Sequence, residues 1–302
     1  MSVLALNKFI SSIVNPINNL IFASTKSYVE IVKVRHDIFH LVAPSIWPLV
    51  TASSAYYLLS SMVYYMHYKT FTSGFFDLFT FLLLAVIFWF KDIIIESNFY
   101  HTKTVQKGIK IGFLLFIFSE VMVFFGLFWA FFAYSLCPPI EIGAAWPPKD
   151  IEIIQPFEIP LVNTVLLLMS GAFVTWSHHA LIKGDYTIAI VSLIGTILLA
   201  ILFTLLQVHE YNHASFCISD GVYGCTFYML TGCHGMHVII GTLLLTVGLA
   251  RLFFNFSSQT LALSITTQNH LGYELAIWYW HFVDVVWLFL YIFVYCCVYT
   301  NA

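Results

Sequence analysis

The stretch IGFLLFIFSEVMVFFGLFWAFFAYSL, Ile111 to Leu136, carries one charged side chain, Glu120, in 26 residues. As an α-helix rising 1.5 Å per residue it spans about 39 Å, more than the ~30 Å hydrocarbon core of a bilayer. Lipid offers no partner to a free backbone N–H or C=O, so a run of this kind reads as a membrane-crossing helix. Six more segments of the same character follow the chain: Pro48 to Tyr68, Phe75 to Ile95, Ile159 to Ile182, Thr187 to His209, Phe227 to Ala250 and Leu275 to Val298. The pattern therefore predicts an all-α, polytopic membrane protein with seven transmembrane helices. Composition agrees, because 60% of the 302 residues are hydrophobic and 9% are charged, against roughly a quarter charged in a soluble domain.

The net charge of −3 supplies neither a nucleic-acid footprint nor an acidic tail. Its placement is more informative. With the N-terminus inside, that side collects Lys8, Lys26, Lys33, Arg35, Lys91, Lys103, Lys107, Lys110, Lys183 and Arg251, leaving Lys69 and Lys149 outside. The bias orients the N-terminus inward and, after seven crossings, the C-terminus outward. The six cysteines form no C-x-x-C and read as small apolar fillers. Residues 1–35 are rich in Ser and Asn and carry no acid before Glu30. They read as an N-terminal extension at the membrane surface.

Between spans three and four, CPPIEIGAAWPPKDIEIIQPFEIP, Cys137 to Pro160, contains six of the nine prolines. Proline fixes φ and removes a donor, so this is a stiff outer loop. The apolar segments lack the paired breaks of discontinuous transporter helices. Trp47, Trp89, Trp146, Trp176 and Trp278 fall near span ends, where an amphipathic ring suits the headgroup layer.

Polar residues at membrane depth are the candidates for function. A charged carboxyl at the centre of a span costs roughly 2.5–3.5 kcal/mol on insertion scales, so Glu120 must be protonated, paired or turned toward protein. It is either a proton-handling carboxyl or a neutral acid that fixes helix packing. Glu274, His281 and Asp284 are spaced i, i+7 and i+10 on span seven, which places them on one side of that helix. His234 and His237 are i, i+3 in TGCHGMHVIIG on span six, a weak metal signal that also suits hydrogen-bonded structural histidines. At the inner end of span two lie Trp89, Lys91, Asp92 and Glu96, and Arg251 ends span six on the same side. Basic groups at this level hold lipid phosphates or simply snorkel. No phosphate loop, nucleophile elbow or H-E-x-x-H occurs. No metal site and no catalytic residue is expected in this chain.

FHLVAPSIWPL from Phe39, SEVMVFFGLFWAFF from Ser119, WPPKDI from Trp146, PFEIPLVNT from Pro156, VTWSHH from Val174, SDGVYG from Ser219, TGCHGMHVIIGT from Thr231 and YWHFVDVVWLFLY from Tyr279 occur in that order. Together they closely resemble subunit III of the haem–copper cytochrome c oxidases, over about residues 36 to 295. The resemblance implies a seven-helix subunit, helices 1–2 and 3–7 forming two bundles with a lipid-holding cleft. It also implies that haem and copper sit in partner subunits, subunit I being the main contact, with subunit II and accessory subunits in the same complex. Such a subunit stabilises subunit I, supports proton uptake and oxygen access, and binds structural phospholipid. By position, Glu120 becomes the family's buried carboxyl, and Trp89, Lys91, Glu96, His237 and Arg251 its lipid-binding residues. His234, Glu274, His281 and Asp284 become structural polar contacts. The implied location is the mitochondrial inner membrane, with the N-terminus in the matrix and the C-terminus in the intermembrane space.

Departures from the family pattern bear on these roles. The family reads W-W-R-D-x-x-R-E where this chain has Trp89, Phe90, Lys91, Asp92, Ile95 and Glu96, so one arginine is absent and another is lysine, a point charge without the bidentate fork. Ala133 and Asn269 stand at usual histidines, and Cys296 with Cys297 at a Trp-Trp pair. The subunit III of a quinol oxidase shares these motifs. A proton-coupled transporter, the reading from a different class, would require several midplane charges.

Overall fold

The computed structural model describes residues 42, 44–70, 74–99, 101–149, 151–257 and 265–300. The expected N-terminal extension, residues 1–35, lies outside them. Among the described residues the regular structure is helical: α1 (Trp47–Tyr68), α2 (Phe75–Phe99), α3 (Lys103–Leu136), α4 (Ile159–Lys183), α5 (Tyr186–His213), α6 (Gly221–Ser257) and α7 (Leu271–Leu290). A π-helical turn, Tyr291–Cys296, continues α7 into a last short helix, α8 (Cys297–Thr300).

Six of these helices are long and apolar enough to cross a membrane, α7 counted with its continuation to Thr300. The exception is α1, which the sequence reading counted as a span. Thr51, Ser53, Ser54, Ser60 and Ser61 dilute its apolar character. These hydroxyls are satisfied within the helix itself: Thr51 donates to the Trp47 carbonyl at 2.9 Å and Ser54 to that of Val50 at 2.9 Å.

The chain divides into two compact units, with the boundary at Lys107 and Gly108. In the first, α1 packs along α2 and Trp47 stacks on Phe88, ring centroids 5.0 Å apart. In the second, α4 and α5 form a tight antiparallel hairpin, and α7 packs against both α4 and α6. Close approach needs small residues: a Cβ on Gly241 of α6 would lie 2.9 Å from the Trp280 ring.

The seam between α7 and α4 is a ladder of donors. Tyr273, Trp280 and Trp287 recur every seven residues and so share a stripe of the helix. Tyr273 donates its hydroxyl to Ser177 at 2.7 Å, Trp280 its indole N–H to Ser170 at 2.9 Å, and Trp287 to Thr164 at 3.0 Å. Each acceptor passes its own proton to a carbonyl, of Ala189, Leu167 and Pro160 respectively. The next rung, Tyr295, lies eight residues after Trp287 instead of seven. The π turn supplies the extra residue, and Tyr295 donates to Glu210 of α5 at 2.7 Å.

Candidate functional site

The polar residues read from the sequence are drawn into contacts inside the second unit. On α3, Glu120 meets His237 of α6, Oε2 to Nε2, at 2.9 Å. The other ring nitrogen, Nδ1, donates to the Cys233 carbonyl at 2.7 Å. Since a carbonyl can only accept, Nδ1 carries a proton, and one further proton lies between Nε2 and the carboxyl. The pair is therefore either neutral acid on neutral imidazole or carboxylate on imidazolium, with net charge zero in both cases. The rings of Phe124 and Tyr279 flank His237 with centroids at 5.0 and 6.2 Å. Both ring nitrogens of His237 are engaged within the chain.

His234, one helical turn earlier, is fully buried and donates Nε2–H to the Val283 carbonyl at 3.2 Å, tying α6 to α7. Glu274 pairs with Lys110 of α3 at 2.6 Å, and the ammonium also lies 5.9 Å from the centre of the Trp278 ring. His281 donates Nε2–H to the Thr175 hydroxyl of α4 at 3.1 Å, because that hydroxyl spends its own proton on the Gly171 carbonyl. Its Nδ1 faces Asp284 at 3.6 Å. The carboxyl of Asp284 is buried against α4, where a Cβ on Gly171 would come within 2.6 Å of it. The one-sided triplet thus serves two neighbours, Glu274 reaching α3 while His281 and Asp284 reach α4. At 100° per residue the three cover an arc of about 80°, wide enough to meet two helices.

Trp89, Lys91 and Glu96 are half-buried on α2, in the first unit. Arg251 is buried on α6, in the second unit, with Nη1 3.4 Å from where a Cβ on Gly272 would stand. No group of three or more His, Cys, Asp or Glu side chains among the described residues is arranged to hold a metal ion.

One cluster escaped the sequence reading. Asn163 of α4 donates to Gln207 of α5 at 3.3 Å, Gln207 donates to Glu210 at 3.1 Å, and Tyr295 completes the set. All four are buried. The signal was Gln207 and Glu210 at i, i+3, but the apolar run ends at His209 and places Glu210 just beyond it.

The family model described as cytochrome c oxidase subunit III matches residues 36–299. The chain belongs to the cytochrome c oxidase subunit III family. Among its relatives, cytochrome c oxidase subunit 3 of Podospora anserina is 51% identical over 262 residues, 85% of this chain and 94% of that protein. Cytochrome c oxidase subunit 3 of Chondrus crispus is 50% identical over 264 residues, covering 86% and 94%. The Arabidopsis thaliana protein of the same name is 47% identical over 264 residues, covering 86% and 96%. As a subunit III, the chain keeps its acids tied to its own neighbouring helices, at Glu120, Glu274 and Asp284.

Proposed function

We propose that this chain is the subunit III of a respiratory cytochrome c oxidase, a membrane subunit without a redox centre that braces the catalytic subunit I. What supports this most is a family match over nearly the whole chain, joined to polar groups that are consumed in helix-to-helix ties. Glu120 with His237, His234 with Val283, and His281 with Thr175 each join two helices of one chain. A subunit built in this way presents a rigid apolar surface to a partner. Haem and copper belong to subunits I and II.

All seven helices cross the bilayer, α1 included, with the N-terminus in the mitochondrial matrix and the C-terminus in the intermembrane space. Helices α1–α2 and α3–α7 form two bundles that hold phospholipid, with Trp89, Lys91, Glu96, His237 and Arg251 toward the headgroups. Glu120 supports proton uptake, and residues 1–35 meet accessory subunits. Removing the chain from the purified oxidase tests the non-catalytic role: the haem absorbance per complex stays unchanged while the remaining subunit I loses heat stability. Haem leaving together with the chain contradicts the reading. Oxidation of a quinol in place of cytochrome c by the intact complex assigns the chain to a quinol oxidase instead.

A further inference from the structure

We propose that His209 and His213, on the last turn of α5, form an exchangeable binding site for a divalent transition metal such as Zn²⁺. The two histidines are four residues apart on one helix and so lie one above the other on the same face. Both are exposed, and their ring centroids are 4.0 Å apart. His213 donates Nδ1–H to the His209 carbonyl at 2.9 Å. That bond holds the ring and leaves the Nε2 lone pair available, as the backbone tie behind a metal-bound imidazole does. Imidazole nitrogen suits Zn²⁺, Cu²⁺ and Ni²⁺. Zn–N bonds of about 2.0–2.1 Å at a tetrahedral angle set the two nitrogens about 3.3 Å apart, a separation of the same order as the 4.0 Å between the ring centroids.

The protein supplies two ligands here, and water completes the sphere. A closed structural zinc site takes four protein ligands, so a two-histidine site is open and releases its ion readily. Bound metal clamps the turn that contains Glu210, the acceptor of the Tyr295 hydroxyl. The site therefore stiffens the junction of α5 with the end of α7. It is separate from the Glu120–His237 pair and takes no part in electron transfer. The competing account is that two histidines at a helix C-terminus simply complement its dipole.

The test uses the intact oxidase complex, freed of loosely held metal with a chelator and dialysed against Zn²⁺ alone. Elemental analysis of the complex at dialysis equilibrium, with the free Zn²⁺ of the dialysate subtracted, is expected to find one more zinc per complex in the wild type than in the His209→Asn or His213→Asn complex. Equal zinc in all three overturns the proposal. A second measurement needs no variant: diethyl pyrocarbonate labelling of the wild-type complex, read by peptide mass spectrometry. Zn²⁺ is expected to protect His209 and His213 and to leave the exposed His67 labelled. Labelling of the pair that zinc does not change, including none in either condition, overturns the site.

Discussion

Glu120 and His237, 117 residues apart in the chain, share one hydrogen bond of 2.9 Å that joins α3 to α6. Their side chains are 23% and 12% exposed, so the bond forms where water is scarce. In such surroundings the neutral form of the pair is the one to test, since separated charges carry a desolvation cost that neutral partners avoid. Glu120→Gln keeps a donor for Nε2. The substitution is expected to leave the subunit assembled, with a loss of at most ~1 kcal/mol in heat stability. Loss of the folded subunit from the complex on native gels would show instead that the pair is ionic.

Gly171 and Asp284 make a second test. A methyl at 171 would collide with the Asp284 carboxyl at 2.6 Å. Gly171→Ala is expected to cost about 1–3 kcal/mol by overpacking, read as a lower temperature for loss of the subunit from the complex. Adding Asp284→Ala relieves the collision and recovers part of that loss. Equal stability of wild type and Gly171→Ala would contradict the packing described.

The ladder on α7 predicts a graded series. Trp280→Phe and Trp287→Phe each remove one donor to α4. Each is expected to cost about 2–4 kcal/mol, about 1 for the lost hydrogen bond and the rest for the cavity left where a fully buried indole shrinks to a phenyl ring. Tyr295→Phe keeps the ring and takes only a donor from the Glu210 carboxyl, a charge-capable acceptor, and is expected to cost about 1.5–3 kcal/mol. Thermal denaturation of the three variant complexes checks each loss, and a variant as stable as the wild type contradicts its rung.

Cys217 lies in the loop between α5 and α6, and its backbone N–H donates to the Asp220 carboxylate at 2.6 Å. The negative charge of Asp220 disfavours the thiolate and raises the thiol pKa. Asp220→Asn removes that charge, so more thiolate is present at mildly alkaline pH and alkylation by iodoacetamide becomes faster. An unchanged rate across pH 7–9 would contradict the electrostatic cause.

The helices were legible because each apolar run is long, and α1 and α4 begin and end within a residue of where hydropathy places them. Others run well beyond their apolar cores: α3 starts at Lys103, and α6 extends from Gly221 to Ser257. Partners were less legible. Nothing in a local pattern connects Glu120 to His237 or Lys110 to Glu274, because those contacts depend on how distant helices pack. The aromatic stripe of Tyr273, Trp280 and Trp287 was hidden because aromatic and aliphatic residues fill α7 outside its Glu274, His281 and Asp284 side, so a seven-residue repeat does not stand out from its background. Glu210 was missed because it lies one residue past the apparent end of its span, and Tyr295 because the π turn breaks the repeat.

The proposed role places this chain, as a brace, in an oxidase that takes electrons from cytochrome c. The most direct measurement is to capture the tagged chain from solubilised inner membranes and to assay what comes with it. The expected result is a complex with haem- and copper-containing subunits that consumes oxygen when given reduced cytochrome c. Recovery of the chain without haem and without that activity, from membranes whose oxidase remains whole and active, would contradict it.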